Sequence, residues 1–248
     1  IKRGTLMRKQ RIFGVIVAIL LLASALSIRY LSMIHWDGAQ FNEVDISIQF
    51  PDNQTLVFNS NLQPVINTFL KEQGDSNALK VNAFLLETSL EALPYVADAQ
   101  VYWNMDQRLK IALVSKQVKA IVMMGSTTFL VTTENEVLKK PAEAIVDVPV
   151  ITGIKDSSEG AAAGFTLDRI YLSKVFNADN LAQLDRREDH LAIVPKGYNH
   201  TVLVNSDERL QDDLKKLAAF YAAHTPEKLD DFKRIDLRYK NQVVSTTR

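Results

Sequence analysis

The sequence predicts an α+β protein with a single N-terminal transmembrane helix, a β-α-α-β-β module, and then a β-rich domain with flanking helices. Three observations predict this architecture. The 248 residues contain one long uncharged apolar run. The segment after it changes between strand and helix periodicities over a length sufficient for a small helix-on-sheet domain. Short alternating segments separated by turn residues then continue to the end of the chain.

The apolar run extends from Ile12 to Ile28 and carries no charge. It lies at the short end of the length that crosses a bilayer. The span extends to Trp36 if Arg29 turns its guanidinium back to the interface, which places Tyr30 and Trp36 in an aromatic belt. We therefore predict that residues 12–36 form a transmembrane helix together with its interfacial residues. The tail at 1–11 is predicted to be cytoplasmic because it contains no acid and five cations: Lys2, Arg3, Arg8, Lys9 and Arg11.

The same run also has the parts of a secretory signal peptide. A basic segment precedes apolar residues 12–22, and Ala23-Ser24-Ala25 is a small-residue cleavage site. Cleavage after Ala25 would release a secreted protein. Both interpretations export the remainder of the chain. A buried core helix is disfavoured because the run is apolar on every side and its flanking cations precede it.

Charge and composition exclude several classes of function. Six of the 29 Lys and Arg residues lie in the first 36 residues, which contain no acid, so the exported part carries 23 cations against 29 acids. This acidic balance argues against nucleic acid as a partner. The chain has no cysteine, which excludes disulfides, thiolate metal sites and a cysteine nucleophile.

Residues 41–116 are predicted to form the β-α-α-β-β module. A strand places Val44, Ile46 and Ile48 on one side, and a polar turn follows at 51–54. Asn61 is predicted to cap a helix, and a second helix covers 82–92. The apolar face of the first is Leu62, Val65, Ile66, Phe69 and Leu70, and that of the second is Phe84, Leu85 or Leu86, Leu90 and Leu93. Strands at 97–103 and 108–116 then form a hairpin.

Residues 117–248 are predicted to form the β-rich domain. Strands are expected at 118–124, 128–132, 136–138, 148–151, 190–194 and 201–204. Residues 157–164 are small and polar, which indicates a mobile surface loop. Helices are predicted at 168–184 and after Ser206 as its cap. The second helix has its acidic residues near its N-terminus, and its apolar stripe consists of Leu210, Leu214, Leu217 and Tyr221.

The chain shows no arrangement of residues typical of catalysis. It contains no glycine-rich phosphate loop and no GxSxG, SxxK or HExxH motif. Its four histidines, His35, His190, His200 and His224, never occur at metal-ligand spacing. Adjacent acids such as Asp212-Asp213 diverge around a helix, which is typical of solvated faces. We therefore predict a protein that is not an enzyme and that has no cofactor, metal or small-molecule substrate.

The last segment, Arg234 to Ser245, alternates as a β-ribbon with Ile235, Leu237 and Tyr239 on one face and a turn at Lys240-Asn241. A terminal strand tends to lie at a sheet edge, where free backbone groups can accept a partner's strand. The alternative is an ordinary edge strand, protected by its basic residues: Lys233, Arg234, Arg238 and Lys240.

Several motifs, taken in order, resemble the bacterial division protein family FtsQ/DivIB. Residues 86–122, LETSLEALPYVADAQVYWNMDQRLKIALVSKQVKAIV, resemble the family's helix, Pro-aromatic-Val turn and two-strand hairpin. Phe129–Leu138 and Val148-Pro-Val-Ile-Thr-Gly are similar to its opening hairpin and following strand, and Ile235-Asp-Leu-Arg-Tyr to its closing strand. The match is poorest at 157–164 and just after the first strand. Overall the chain looks most like the Bacteroidetes branch.

The resemblance implies a bitopic divisome scaffold that binds FtsB and FtsL homologues and helps to bring septal peptidoglycan synthesis to midcell. It implies that 41–116 is a POTRA domain for recruitment and 117–248 an FtsQ-type β domain. It further implies an inner-membrane protein with a cytoplasmic N-terminus and a periplasmic bulk. FtsB would add to the edge of the last strands, with contacts at Arg238, Tyr239, Asn241, Val243 and Val244. Lys240-Asn241-Gln242 depart from the usual pattern.

Two other classes of function remain open on the sequence. POTRA modules also occur in outer-membrane assembly and secretion proteins, although those carry several repeats before a barrel. Cleavage after Ala25 would instead give a secreted protein.

Overall fold

A computed structural model describes residues 19–31, 44–50, 54–72, 82–104, 108–206 and 208–248. They fall into two compact units. The first lies within Ile1–Ser47, Ser60–Leu90 and Ala99–Leu113, and the second within Ile48–Asn59, Glu91–Asp98 and Val114–Arg248. Both helices and sheets are present, so the predicted α+β class is confirmed.

Residues 19–31 are helical (α1), and all of them are exposed. Within the described ranges, no helix is both long and apolar enough to span a bilayer. Arg29 and Tyr30 belong to α1. The other predicted anchoring residues, Ile12 and Trp36, lie outside the described residues together with His35 and the basic tail. Ile28 is in α1, with 68% of its side chain exposed.

The predicted β-α-α-β-β order is present, and most of its residues belong to the first unit. Its elements are β1 (Val44–Gln49), α2 (Asn59–Glu72), α3 (Ala83–Glu91), β2 (Val96–Trp103) and β3 (Leu109–Ser115). The three strands form one sheet in the order β1-β3-β2. The alternation predicted for β3 is confirmed, because every second residue is buried: Leu109, Ile111, Leu113 and Ser115. The two helices bury Leu62, Ile66, Leu86 and Leu90.

Two details of these helices differ from the prediction. Helix α2 begins at Asn59, so Asn61 lies inside its first turn and is not the cap. Phe84, predicted to face inward, is 71% exposed, whereas Leu86 is fully buried. Four consecutive apolar residues, 83–86, cover more than one face of a helix, so only those one turn apart can share the buried side. Leu86 and Leu90 have that spacing.

The second unit is built on a sheet of nine strands in the order β12-β11-β10-β9-β8-β7-β4-β5-β6. The pairs β4–β7, β7–β8 and β10–β11 are parallel, and the others are antiparallel. The strands are β4 (Val118–Met124), β5 (Thr127–Thr132), β6 (Val137–Lys139), β7 (Val150–Thr152), β8 (Leu181–Arg186), β9 (His190–Pro195), β10 (Thr201–Asn205), β11 (Phe232–Asp236) and β12 (Val244–Thr247).

Helix α4 (Ser157–Leu172) corrects two predictions. Residues 157–164 are not a loop but its first half, and the predicted helix at 168–184 ends at Leu172, so that 181–186 is strand β8. The helix starts at 157 because the Asp156 carboxylate accepts a hydrogen bond from the Glu159 N–H at 2.9 Å, while the Glu159 carboxylate accepts one from the Lys155 N–H, also at 2.9 Å.

Two buried glycines let α4 approach the sheet closely. A Cβ added at Gly164 would lie 2.3 Å from Asn135 Oδ1 and 2.8 Å from Val131 Cγ1. At Gly160 the nearest atom would be the flexible end of Met124, at 2.9 Å. The composition that resembles a loop in the sequence is therefore required by packing.

Helices α5 (Leu210–Ala222) and α6 (Pro226–Asp230) complete the second unit. The predicted stripe of α5 is confirmed, with Leu210, Leu214 and Leu217 fully buried and Tyr221 packed against the core. Ser206 does not cap this helix, since Arg209 is the residue before its first turn and makes no capping bond with its side chain. The core beneath α4 and α5 takes alternate residues of the strands, including Ala120, Val122, Leu191, Ile193, Val202 and Val204.

Gln54, predicted to lie in a polar turn, is instead 5% exposed. Its side-chain amide donates to the Val118 carbonyl and accepts from the Val118 N–H, both at 2.7 Å. Leu56 follows it into a small cluster with Val118, Leu130, Ala144 and Val148. The side-chain amide thus satisfies both backbone groups of Val118, as a neighbouring strand would do elsewhere along β4.

His200 is buried, which favours its neutral form. Its Nδ1 lies 3.2 Å from the Leu229 carbonyl, which can only accept, so Nδ1 carries the proton. Its Nε2 then accepts from the Tyr221 hydroxyl at 2.7 Å. Burial lowers the pKa of His200 below its usual value.

We expect Gly164→Ala to destabilise the second unit by about 1–3 kcal/mol, because the added methyl group overlaps Val131 and Asn135. Gly160→Ala should be close to neutral, since Met124 can move and alanine favours the helix by about 1 kcal/mol. Urea denaturation followed by circular dichroism measures both. The exposed Ala162→Gly is the control for helix propensity alone, and equal effects of the two glycine variants would contradict the packing argument.

We expect acid to weaken the fold through His200. The unfolded chain takes up a proton near pH 6.5, whereas the folded chain resists protonation until a lower pH. The free energy of unfolding should therefore fall as the pH decreases from 7 towards 5, by at most about 1.4 kcal/mol per pH unit for one proton. His200→Gln removes this contribution. A slope that is the same in the variant would show that other groups cause it.

Candidate partner-binding edge of the sheet

The last strand of the chain lies at one end of the nine-stranded sheet. β12 pairs with β11 in antiparallel orientation and has no strand on its other side among the described residues. β11 pairs in parallel with β10 and buries Ile235. All four residues of β12 are exposed. The sheet therefore presents one edge whose outer backbone groups are not paired with another strand of the described chain.

The hydrogen bonds around β11 and β12 determine which backbone groups point outward. The Leu237 N–H donates to the Leu203 carbonyl at 2.9 Å, so this N–H and the backbone groups of Ile235 point to β10, and Asp236 directs its own to β12. On β12, the Arg248 N–H donates to the Asp231 carbonyl at 3.1 Å. Successive residues of a strand direct their backbone N–H and C=O groups to opposite sides, so Val244 and Thr246 direct theirs towards β11. The outward groups of β12 belong to Ser245 and Thr247.

The segment between the two strands (237–243, the β11–β12 loop) departs from the predicted continuous ribbon. β11 ends at Asp236, and Asn241 has a left-handed φ of 56° in the predicted turn. Leu237 is buried, but Tyr239 is 52% exposed and does not share its face. The ribbon breaks because Arg238 folds back on Asp236, whose carboxylate accepts from Nε at 2.9 Å and Nη2 at 2.8 Å.

Asp236 and Arg238 form a strong ion pair. Asp236 is buried, and its hydrogen bonds from Arg238 hold the pKa of the carboxyl below its usual range. The same bonds raise the pKa of Arg238. Arg238 Nη1 also lies 3.7 Å from Asp189 Oδ2, and Asp189 Oδ1 lies 2.5 Å from His190 Nδ1. The guanidinium is therefore already committed to the protein's own carboxylates.

The structure separates the five predicted contact residues into two groups. Tyr239, Asn241 and Val244 are exposed near the edge, which is the position that a contact residue requires. Val243 is half-buried and packs against the core. Arg238 is held as described above, with 28% of its side chain exposed.

Helix α5 supplies residues beside the loop that the sequence prediction missed. Asp213 was predicted to be solvated like Asp212, but its side chain is 3% exposed, against 75% for Asp212. It forms an ion pair with Lys216 at 2.9 Å. The spacing of three residues between an acid and a lysine was the available signal, but it occurs equally in the exposed pair Asp212–Lys215.

A cleft of about 410 Å³ lies between α5 and the loop, lined among others by Asn205, Asp213, Lys216, Arg238, Tyr239 and Asn241. Its polar groups bond mainly to one another and to the backbone. In the part of the chain that the structure describes, no group of histidines and acids is placed to hold a metal ion. His224 bonds to the Phe220 carbonyl through Nδ1 at 2.8 Å.

Comparison with known proteins extends these observations. The comparison with curated proteins gives no match. Among solved structures, the chain is similar to the major extracytoplasmic domain of the trans isomer of the bacterial cell division protein DivIB from Geobacillus stearothermophilus, at 20% identity and a TM-score of 0.33, with 44% of this chain and 92% of that chain covered.

A family model described as FtsQ/DivIB, C-terminal related, matches residues 116–246. The matched segment runs from the start of β4 into β12 and is just over half of the chain. It therefore includes the whole of the sheet described above except the last residue of β12. The chain belongs to the FtsQ/DivIB family.

Proposed function

We propose that this chain is a membrane-anchored, non-enzymatic scaffold of bacterial cell division that binds FtsB and FtsL homologues and links them to septal peptidoglycan synthesis. Membership of the FtsQ/DivIB family supports the role in division and an association with other divisome proteins. The observation that carries the binding site is the open edge at β12, of which all but Thr247 lies inside the segment that the family model matches.

The proposed mode of binding is strand addition. A partner segment pairs with the outward N–H and C=O groups of Ser245 and Thr247 and becomes a tenth strand. These main-chain bonds supply most of the affinity. Specificity comes from side chains on either side, above all Tyr239, which is exposed on the adjoining loop and offers an aromatic anchor. Asn241 and Val244 are exposed next to it and complete the contact.

We further propose that α1 belongs to a single-pass inner-membrane anchor at 12–36. Its exposed side chains are almost all apolar, including Leu20, Leu21 and Leu22. Its two serines return their hydroxyl groups to the helix, Ser24 to the Leu21 carbonyl and Ser27 to the Ala23 carbonyl, both at 2.8 Å. Such bonds satisfy the hydroxyl groups inside lipid. The basic tail stays in the cytoplasm, and both units lie in the periplasm at the division septum.

The first unit is proposed to be a POTRA domain that recruits the protein to the division site. Its β-α-α-β-β order and its sheet order β1-β3-β2 support this assignment.

We expect Ser245→Pro to reduce the recovery of co-purified FtsB and FtsL homologues about tenfold or more, because it removes the one N–H of Ser245 that faces the partner. The bonds of β12 to β11 come from other residues, and edge strands tolerate proline where the N–H faces solvent. The measurement is a pull-down from detergent-solubilised membranes with mass spectrometry of bound proteins.

Ser245→Ala is the matched control, since it changes the side chain and keeps the N–H. It should bind like the unmodified chain. Circular dichroism should show the same melting temperature for both variants within a few degrees. Undiminished recovery with a folded Ser245→Pro chain would refute strand addition at this edge.

We expect the protein extracted from membranes to keep its apolar run. N-terminal sequencing or intact mass should then show residues 12–25 in the mature chain, and alkaline carbonate should not release the protein. A mature start near Leu26 would refute the anchor and favour a secreted protein.

A further inference from the structure

The backbone of the β11–β12 loop is held from the side of α5 by an ion pair between the buried Asp213 and the partly exposed Lys216. We propose that the Asp213–Lys216 pair is a positioning element for this loop: it fixes the loop's carbonyl groups inward and so presents Tyr239 and the start of β12 to a partner. The effect on a partner rests on the proposed function, whereas the effect on the loop does not.

Asp213 is the buried end of this element. The side chain is 3% exposed, and Oδ2 accepts from the Asn205 N–H at 2.8 Å and from the Asn205 side-chain amide at 2.7 Å. Asn205 is the last residue of β10. The carboxylate therefore connects the first turn of α5 to the end of a central strand. The amide donors stabilise this buried carboxylate, and a cation beside it compensates the charge that remains.

Lys216 supplies this cation, and the same ammonium group also bonds to the loop. Its Nζ lies 2.9 Å from Asp213 Oδ1, and it donates to the carbonyls of Leu237 and Tyr239, the latter at 2.8 Å. The Asn205 amide also approaches the carbonyl between them, that of Arg238, at 3.4 Å. Three successive carbonyls of the loop thus face donors of one network.

This arrangement has a direct consequence for the outer surface. Because three successive carbonyls are bound on the α5 side, the loop cannot turn them outward without losing charge-assisted bonds. Tyr239 is left exposed. A loop fixed before binding loses less conformational entropy when a partner adds, which increases affinity without any contact between Lys216 and the partner.

The chain offers a closely matched control at the preceding position. Lys215 also forms an ion pair with an acid three residues earlier, Asp212, at 3.0 Å, but both side chains are more than 70% exposed and neither is bonded to the loop. Lys215→Met and Lys216→Met remove the same charge from the same turn of the same helix. Only the second removes donors from the loop carbonyls.

The first measurement is hydrogen exchange by mass spectrometry on the full chain in detergent. For Lys216→Met we expect exchange in the peptide covering 237–247 to accelerate about tenfold or more, the change that follows from the loss of one charge-assisted bond. Exchange in β8 should stay within about twofold. Lys215→Met should leave both regions unchanged, and Lys216→Arg, which keeps the charge and the donors, should restore most of the protection.

Lys216→Met leaves Asp213 buried without its cation and can destabilise the whole unit. The double variant Asp213→Asn with Lys216→Met removes both charges and avoids that penalty. If the double variant melts like the unmodified chain and still shows faster exchange in 237–247 alone, the positioning role is supported. If its exchange there is unchanged, the role is refuted.

The second measurement is the recovery of FtsB and FtsL homologues in the pull-down described above. We expect the double variant to retain about a fifth or less of the partners, and Lys215→Met to retain all of them. Loss of binding with Ser245→Pro but not with the double variant would refute the positioning role and leave the proposed function intact. Undiminished binding with Ser245→Pro refutes the proposed edge itself, while the exchange result still decides what holds the loop.

Discussion

The second unit depends on the close approach of α4 and α5 to a sheet whose strands bury alternate residues beneath them. Gly160, Ala163 and Gly164 bring α4 to van der Waals distance of β4, β5 and β6, and Leu210, Leu214 and Leu217 do the same for α5 at the other half of the sheet. Since β10 lies under α5 and β11 is paired with β10, the position of the edge follows from the packing of that helix.

Elements with a regular apolar period could be predicted well from the sequence. β3 alternates and α5 repeats leucine at helical spacing, so burial of one face determines both their type and their extent. β9 and β10 are instead short apolar runs that are buried almost throughout. The errors lie where packing required something other than large apolar residues. The small residues of α4 look like a loop, because a glycine that avoids a steric overlap carries no periodic signal.

The candidate site could be predicted in position but not in detail. Alternation in the last residues and their place at the end of the chain indicate an edge strand, and the structure has one. The roles of charged residues depend on three-dimensional neighbours instead. Asp212 and Asp213 are adjacent and identical in type, yet one is solvated and the other is buried against β10. Arg238 is likewise engaged by Asp236, a pairing visible only once the ribbon breaks.

The composition of β12 has a consequence for self-association. The strand is exposed, contains no charged residue between Val244 and Thr247, and has neither proline nor a bulge of its own, so its short length of four residues is its main protection against pairing with another edge. An antiparallel copy of the same four residues satisfies the same outward groups. A partner strand on this edge would therefore also occupy the backbone groups through which a second copy of the chain could pair.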